Sequence, residues 1–433
     1  MIGLLVWPLF GMAEFKTDYP RLANYYLKWQ ISEEEAIELA KWDLLVLDMQ
    51  NQFTSESSIK KIKELNPDIK ILAYLTSEEV QQQHQNTSAN NPWKKLYNYV
   101  EQNNLWLVNS QQSRVSFWPG TWMIDVTKAK WQAWLPNFLD QEILVNQYWD
   151  GVFLDNSFSE ISWIDSNLSI SDVSWQQGMI SILGNINTIL DEDQVVVINS
   201  SSAYMDHING RLFEGWPDVY GGDWATNMED YLSLLGRVND PQVVIINTNT
   251  ANQFKPTEYQ KMRYGLTSSL LANSYYSFDF GDQNHAQTWW YDEYDQYLGR
   301  SINGPQNLTS HDSGSGLWRR DFEQGIVLVN STDEMQKIRL GEEFEKIRGE
   351  QDPKVNNGQI ITTAKVPAED GLVLLKRLKS FSDSVYINGS FAKVFDIQGL
   401  ADRNGFFIYD NQFAGGVKIV LVDLDTNGTL EKV

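Results

Sequence analysis

The feature that most constrains the fold is a regular alternation of short apolar runs with longer amphipathic stretches up to about residue 300. Continuous apolar runs are typical of strands covered on both faces, and the stretches between them are typical of surface helices. Eight such pairs predict an α/β fold with a (β/α)8 TIM barrel, which we place at residues 14–300. A doubly wound sheet is the alternative, but no Gly-rich first turn supports it. The predicted strands are Arg21–Leu27, Trp42–Met49, Lys70–Leu75, Gly151–Leu154, Gln194–Ser200, Gly210–Trp216, Gln242–Thr248 and Ser274–Phe280.

Carboxylates stand where four of these strands end. Asp48, Asp155, Glu214 and Asp279 close the second, fourth, sixth and eighth runs, and Asp125 precedes the fourth strand and its helix. Alone, Asp155 could equally cap the turn after its strand, because Asp and Asn are favoured there. In a (β/α)8 barrel, however, the carboxyl ends of the strands line the active site. Several carboxylates at one mouth disfavour each other's ionisation, which predicts a site for acid/base chemistry.

Cleavage of a glycosidic bond requires one ionised carboxylate and one that holds a proton. We predict Asp155 as the nucleophile, because its side chain is short and is held at a strand end. We predict Glu214 as the acid, because Phe213 and Trp216 beside it would desolvate its carboxyl group and raise its pKa. The alternative for Glu214 is a loop carboxylate paired with the nearby Arg211.

Further polar and aromatic residues are predicted to bind the sugar. The acidic members either hydrogen-bond to sugar hydroxyls or have a purely structural role. Indole rings stack well on sugar rings, but they also pack in any protein core, so both interpretations stay open for the tryptophans. The predicted substrate-binding residues are Asp48, Tyr74, Trp122, Asp125, Asn156, Asn199, Trp216, Asn247 and Asp279.

Composition narrows the partners of the chain. The net charge of −23 disfavours nucleic acids and anionic membranes, because like charges repel. The 17 Trp and 19 Tyr residues favour a carbohydrate. The absence of Cys excludes disulfides and thiolate metal sites, and none of the four His residues stands at a metal-ligand spacing. No cofactor is therefore expected for catalysis, and the sequence leaves the oligomeric state open.

The first residues are apolar but too short to cross a membrane. Ile2–Ala13 contains Pro8 and has no basic leader. It reads either as the tail of a secretory signal or as a buried N-terminal segment. The first interpretation predicts a secreted or cell-surface protein.

The pattern changes after Gly299. Residues 301–316 form a Gly/Ser/Asn/Pro-rich linker, and residues 317–379 hold short strand-like runs that predict a small all-β sandwich. Residues 380–433 hold further short strands and Asn–Gly turns that predict a β-repeat tail. A short Ca²⁺ loop is predicted there from the spacing of oxygen ligands, although an Asn–Gly turn with incidental acids explains the same pattern. Its ligands would be Asp423, Asp425, Asn427 and Glu431.

Several motifs resemble a known family of enzymes. The runs Trp122–Thr127, Asp150–Asn156 and Phe213–Trp216 resemble hypothetical glycosyl hydrolase family 15, a group of bacterial proteins predicted to be TIM barrels. Leu22–Tyr26 and Trp42–Val46 are similar to that group too. The resemblance covers roughly the first three hundred residues. It implies a reaction class and leaves the sugar open.

The chain is also distantly similar to the endo-α-1,4-polygalactosaminidases and to the α-galactosidase and α-amylase superfamily. In that superfamily the nucleophile is an Asp after the fourth strand, a position that Asp155 matches. The acid follows the fifth or sixth strand, and Glu214 matches the sixth. The resemblance implies hydrolysis of an α-linked polysaccharide or oligosaccharide with retention of configuration. The alternatives are a barrel that binds carbohydrate without catalysis and a cell-surface adhesion protein.

The C-terminal regions carry resemblances of their own. Trp318–Phe322 and Gly325–Asn330 resemble the β-sandwich that often follows such barrels. Phe406–Asp410 and Asp423–Gly428 resemble one repeat of a β-propeller of the FG-GAP type. One repeat cannot bury its own apolar face, so this resemblance implies only a partial repeat.

Overall fold

The structure is a computed structural model that describes residues 16–200, 202–217, 222–302, 308–314 and 316–376, together with four two-residue strands nearer the C-terminus. It contains two compact units. The first is built mainly on Arg21–Trp289, and the second contains every strand from Leu317 onward. None of the helices described is long and apolar enough to cross a membrane.

The first unit is a barrel of eight strands in which each strand pairs in parallel with the next. A parallel bridge between Leu22 and Tyr276 brings the last strand back to the first, so the sheet is nearly closed. The predicted TIM barrel is therefore confirmed, and each of the eight predicted runs overlaps a barrel strand. The strands are Ala23–Tyr26, Leu44–Asp48, Lys70–Thr76, Gly151–Ser157, Val195–Ser200, Gly210–Phe213, Ile245–Asn249 and Tyr275–Asp279.

The inside of the barrel is filled by apolar side chains from alternate positions of the strands. Val46, Leu72, Phe153, Val197 and Leu212 belong to this core, and all of them are fully buried. Successive inward positions along a strand are two residues apart. The next inward side chain on each of these strands therefore emerges at the carboxyl end of the barrel.

The fourth strand begins at Gly151, where no residue with a side chain fits. Gly151 has a φ of +147°, and a Cβ atom there would lie 2.1 Å from the carbonyl oxygen of Val195 on the next strand. Glycine is required for this close approach of two backbones. It sets the register of the strand that carries Asp155.

The helices cover the outside of the barrel. Ser32 and Glu35 form a capping box at the start of the first helix. Pro136 lies inside a later helix, which continues as the π-helical segment Leu139–Leu144. The α-helices are Glu33–Leu39, Asn51–Thr54, Glu56–Leu65, Pro92–Gln102, Ala129–Phe138, Asp172–Asn187, Trp224–Leu234 and Tyr259–Ser269.

The long connection after the third strand is more ordered than its Gln- and Asn-rich sequence suggests. Glu79–Gln81 pairs antiparallel with Thr121–Met123 to form a small sheet outside the barrel strands. Between them lies the helix Pro92–Gln102, whose N-cap Asn91 accepts a hydrogen bond from the backbone N–H of Trp93. Asn at the cap and Pro at the first helical position are a helix-start signal within an otherwise irregular composition.

The second unit contains a five-stranded antiparallel sheet. In chain order its strands are Leu317–Asp321, Gly325–Asn330, Gln336–Lys346, Ile360–Val366 and Asp370–Lys376. The fifth strand pairs with the second and the third, so it lies in the middle of the sheet. Leu317, Ile326, Leu328, Phe344 and Leu372 form part of its apolar core. The predicted all-β region after the barrel is confirmed.

The predicted repeat and calcium loop lie almost entirely outside the described residues. Phe391–Ala392 pairs with Phe406–Phe407, and Leu421–Val422 pairs with Glu431–Lys432. Asp423, Asp425 and Asn427 are not among the described residues, and Glu431 is described only as part of a strand. The calcium loop and the boundaries of the regions 14–300, 301–316, 317–379 and 380–433 therefore stay predictions.

Candidate active site

A cavity of about 1020 Å³ opens at the carboxyl end of the barrel strands. Ligand sites in barrels of this type lie at this end. Side chains from six of the eight strands line it, and so do residues from the loops that follow them. Residues on or directly after a strand include Tyr25, Asp48, Tyr74, Asp155, Asn199, Glu214 and Asn249.

The two-residue period of the strands brings these side chains together. Asp48, Tyr74, Asp155, Asn199 and Glu214 each stand two residues after an inward-facing apolar residue of the barrel core. The core residue fills the barrel, and the polar residue two positions later faces the mouth. The same alternation that builds the core therefore builds the candidate site.

Asp155 is held by hydrogen bonds to both of its carboxylate oxygens. The Tyr74 hydroxyl donates to Oδ2 at 2.7 Å, and the Tyr25 hydroxyl lies 3.4 Å from the same oxygen. The backbone N–H of Asn156 donates to Oδ1 at 2.9 Å. Burial raises the pKa of both phenols well above the usual range, and the charge of Asp155 adds to the rise. Both tyrosines therefore remain neutral donors to a carboxylate.

Asn199 joins the two predicted catalytic carboxyl groups. Its side-chain Nδ2 donates to Asp155 Oδ1 at 2.9 Å and to Glu214 Oε2 at 2.8 Å. These two oxygens are therefore no farther apart than the sum of the two distances, about 5.7 Å. A single amide group thus fixes the spacing of the pair.

Glu214 faces the cavity with 26% of its side chain exposed. Burial raises the pKa of its carboxyl group above the usual range, and the charge of Asp155 raises it further. His285 opposes this rise. Arg211, the alternative partner for Glu214, has its guanidinium 3.2 Å from the carboxylate of Asp230. A carboxyl group with a raised pKa next to an ionisable Asp is the arrangement expected for an acid and a nucleophile.

His285 lies between Glu214 and Asp279. Its Nδ1 is 2.8 Å from Asp279 Oδ2, and its Nε2 is 3.6 Å from Glu214 Oε1. Burial opposes the charged imidazolium, but the carboxylates of Asp279, Glu214 and Asp155 together raise the pKa of His285 above its usual value. Asn247 Nδ2 donates to the same Asp279 oxygen at 3.0 Å. Asp279 and Asn247 therefore lie behind His285, not at the cavity surface.

A second group of acidic side chains follows the second and third strands. Asp48 accepts hydrogen bonds from Trp93 Nε1 at 2.8 Å and from the Gln50 backbone N–H at 2.9 Å. Burial raises the pKa of Asp48 to about 7. We call Asp48, Glu78 and Glu79 the second acidic cluster.

Glu79 connects this cluster to the loop after Asp155. It accepts hydrogen bonds from Asn156 Nδ2 at 2.6 Å and from Thr121 Oγ1 at 2.7 Å. Burial raises the pKa of Glu79 to about 7, and it raises that of the completely buried Glu78 well above the usual range. Asn156 has a φ of 54°, a left-handed conformation that Asn adopts more readily than most residues. Glu79 thus holds the turn that follows the nucleophile candidate.

Aromatic rings form much of the remaining cavity wall. His84 stacks on Trp93 with ring centroids 4.9 Å apart, and Trp29 lies over the same His at 5.7 Å. Burial lowers the pKa of His84 to about 4, so its ring is neutral. Phe117 and Phe158 make an edge-to-face contact at 4.8 Å elsewhere on the wall. Neutral, flat walls of this kind suit the apolar faces of sugar rings.

Five of the nine residues predicted to bind substrate do not line the cavity as the structure describes it: Asn247 and Asp279, which lie behind His285, and Trp216, Asp125 and Trp122. Trp216 is 1% exposed and packs edge-to-face on Phe213 in the core. Asp125 accepts a hydrogen bond from the Thr127 backbone N–H at 3.0 Å, so it organises its own turn. Trp122 lies on the small antiparallel sheet. Their strand-end or aromatic character alone did not indicate these positions, and a role in substrate binding stays a prediction.

Three residues that the sequence did not single out belong to the site: Tyr25, Glu79 and His285. Tyr25 lies near the end of the first predicted strand, Arg21–Leu27, so its position was a usable signal. Glu79 begins the short strand Glu79–Gln81, three residues after Thr76, and His285 lies on a loop six residues after Asp279. Only the folding of these two connections over the mouth brings them to the carboxyl groups. Among the described residues, no group of three His, Asp or Glu side chains is placed to hold a metal ion.

Three solved structures illustrate what the chain is similar to. A noncanonic maltogenic alpha-amylase, AmyB from Thermotoga neapolitana, has 10% sequence identity and a TM-score of 0.47, with 83% of this chain and 99% of that chain covered. A xylosidase from Aspergillus niger has 10% identity and a TM-score of 0.46, with 83% and 64% covered. The GH36 alpha-galactosidase AgaA from Geobacillus stearothermophilus has 9% identity and a TM-score of 0.41, with 83% and 55% covered. No curated protein matches the sequence.

A family model gives the assignment. The model of hypothetical glycosyl hydrolase family 15 matches residues 63–326, which is more than half of the chain. The matched region contains Asp155, Asn199, Glu214 and His285. This match confirms the resemblance noted from the sequence motifs. The protein therefore belongs to hypothetical glycosyl hydrolase family 15.

Proposed function

We propose that the protein is a glycosidase that hydrolyses α-linked polysaccharides or oligosaccharides with retention of anomeric configuration. Membership of a glycosyl hydrolase family supports the reaction class. The observation that carries the mechanism is the Asn199 bridge, which keeps the facing oxygens of Asp155 and Glu214 within about 5.7 Å. Retaining enzymes have carboxyl groups about 5–5.5 Å apart, whereas inverting enzymes need roughly 6.5–9.5 Å to admit a water molecule.

In the first step, a carboxylate oxygen of Asp155 forms a bond to the anomeric carbon. The bond from that carbon to the leaving oxygen breaks, and the proton of Glu214 passes to the leaving oxygen. The raised pKa of Glu214 keeps this proton available near neutral pH. Tyr74 and Asn199 orient Asp155 through one hydrogen bond to each oxygen. The oxygen that attacks keeps a defined direction in this arrangement.

In the second step, water attacks the anomeric carbon and the ester bond to Asp155 breaks. Glu214, now ionised, takes the proton of that water. The ester removes the negative charge of Asp155, so one influence that raised the pKa of Glu214 is lost in the intermediate. The acid of the first step thereby becomes a base for the second.

The α linkage is the most specific part of the proposal. It rests on the resemblance of the strand-four Asp and strand-six Glu to the α-galactosidase and α-amylase superfamily. The size of the cavity, about 1020 Å³, accommodates more than one sugar unit. A panel that varies both the sugar and the anomeric configuration is therefore needed.

The test is a panel of 4-nitrophenyl α- and β-glycosides together with α- and β-linked polysaccharides. Release of 4-nitrophenol or of reducing ends measures cleavage, and ¹H NMR during the first minutes identifies the anomer released. We expect cleavage of an α-linked member with the α-anomer formed first. The β-anomer as the first product would contradict retention. Binding without cleavage of any member would contradict the enzymatic function and favour a carbohydrate-binding protein.

A further inference from the structure

His285 and Asp279 form a pair that the two-step scheme does not use. The His285 ring is 8% exposed, with Nδ1 on Asp279 at 2.8 Å and Nε2 toward Glu214 at 3.6 Å. Its position is fixed from two further sides. The backbone N–H of Leu27 donates to the His285 carbonyl oxygen at 2.6 Å, and the Tyr25 ring meets the imidazole edge-to-face at 4.4 Å.

We propose that Asp279 and His285 are a positioning pair, in which Asp279 keeps His285 charged and His285 orients Glu214 and eases the loss of its proton. This inference rests on the proposed function, because it assigns Glu214 the role of acid and base. Neither residue needs to touch the bond that is cleaved. The pair acts through Glu214, with Asn247 fixing Asp279 from behind.

The charges around the pair determine the direction of its effect. Asp155 and Asp279 face Glu214 as carboxylates, and the neutral phenol of Tyr25 packs against the same group. Both carboxylates oppose ionisation of Glu214, and His285 is the cation that favours it. The carboxylates of Asp279, Glu214 and Asp155 favour the charged form of His285. Removal of His285 would therefore leave Glu214 facing only negative charge.

Two requirements on Glu214 give the pair a purpose. The group must hold a proton until the glycosidic oxygen arrives, and it must release that proton during bond cleavage. Burial and two neighbouring carboxylates would on their own make the proton too difficult to release. A cation 3.6 Å away moderates that effect, and it also fixes which Glu214 oxygen faces the cavity. Oε1 is directed to His285, and Oε2 is bound by Asn199.

The first experiment measures the pair without substrate. The chain has four His residues, so ¹⁵N-histidine labelling of the full-length protein gives a simple NMR titration, with His285 assigned from the His285→Gln variant. We expect His285 to titrate above the usual value of about 6.5. In Asp279→Asn its midpoint should fall by about one pH unit or more. Unchanged His207 and His311 signals would indicate that the variant is folded. A His285 midpoint that Asp279→Asn does not move would overturn the proposal.

The second experiment measures kinetics with the best-cleaved 4-nitrophenyl glycoside of the panel. We expect His285→Gln to lower kcat about tenfold to a hundredfold with little change in KM, because substrate contact is not its main role. The basic limb of the kcat/KM profile should move to higher pH by about one unit, because a cation that lowers the pKa of Glu214 has been removed. His207 lies outside the cavity lining, so His207→Gln is the matched control. It should leave kcat and the basic limb of the kcat/KM profile unchanged.

The outcomes separate the two proposals. A variant that loses kcat without a shift of the basic limb would indicate a merely structural role for His285 and would overturn the pair. A rise in KM alone would do the same, because it would make His285 a substrate-binding residue. If the wild-type protein cleaves no member of the panel, the proposed function fails, whatever the NMR titration gives.

Discussion

Two acidic regions share one cavity but differ in how their carboxyl groups are partnered. On the side of the fourth to eighth strands, Asp155, Glu214 and Asp279 are joined by Asn199 and a histidine with a raised pKa. On the side of the second and third strands, the second acidic cluster has neutral donors such as Trp93 and Thr121. The first region is built for carboxyl groups that change charge. In the second, burial raises the pKa of the carboxyl groups toward or above neutral pH.

The difference follows from the cost of burying charge. An ionised carboxylate away from water needs a cation or several donors, and otherwise its pKa rises until it is neutral. Asp48 and Glu79 each have two neutral donors, and burial still raises the pKa of both to about 7. Asp155 has four donor groups around its two oxygens. The number and charge of the partners, and not the acidic residue type, therefore separate candidate catalysts from supporting residues.

The largest expected effect is that of Asp155→Asn. The variant keeps the size of the side chain but cannot form the ester intermediate, so kcat/KM should fall on the order of 10⁴-fold. Initial rates on the best-cleaved member of the glycoside panel measure this loss. Asp165→Asn, in an exposed turn after the same strand, is the matched control and should retain wild-type rates. Full activity of Asp155→Asn would remove Asp155 from the mechanism.

Glu214→Gln should have the next largest effect, and its size should depend on the leaving group. Loss of a general acid costs about 10²–10⁴-fold. Substrates with 4-nitrophenol as the leaving group need less protonation than a sugar hydroxyl, so their loss should be the smaller one. Rates on a 4-nitrophenyl glycoside and on the matching natural disaccharide, measured side by side, give this comparison. Equal losses on both would indicate that Glu214 does not protonate the leaving oxygen.

More of the residues at the strand ends than of those on the surrounding connections could be predicted from the sequence. Each predicted strand was an apolar run, and the strand-end positions of Asp155 and Glu214 carried the prediction. In the structure each of these two residues stands two positions after an inward-facing core residue, Phe153 or Leu212. His285 lies on a loop and Glu79 on a short strand outside the barrel, where no short-range pattern determines what they face. Trp216 is buried, because an aromatic residue beside a catalytic candidate is often part of the core. Strand-end position predicts strand-borne groups, and long-range packing decides the rest.

Glu79→Gln tests the second acidic cluster through stability. The pKa of Glu79 is about 7 in the folded protein and about 4.5 in an unfolded chain. The folded state binds the proton more tightly, so the contribution of Glu79 is favourable below pH 4.5 and is lost as the pH rises to about 7. Relative to wild type, Glu79→Gln should therefore gain stability between pH 4 and pH 8, on the order of 2 kcal/mol.

Urea unfolding at pH 4, 6 and 8 measures this difference, and Glu192→Gln at an exposed position is the control. Glycosidase activity of Glu79→Gln should stay within about tenfold of wild type, because a Gln oxygen can still accept from Asn156. A loss as large as that of Glu214→Gln would place Glu79 in the reaction. The contrast between the two acidic regions would then be wrong.

The smallest expected effect concerns the aromatic wall. Trp29 is 40% exposed at the cavity, over the neutral ring of His84, so it is available to a sugar ring without contact to the reacting groups. Trp29→Ala should raise KM about threefold to tenfold with kcat unchanged, because it removes binding that ground state and transition state share. Trp163→Ala is the matched control, since Trp163 is 59% exposed but does not line the cavity. A fall in kcat at constant KM would show that Trp29 acts on the transition state, and the neutral side of the cavity would then take part in catalysis.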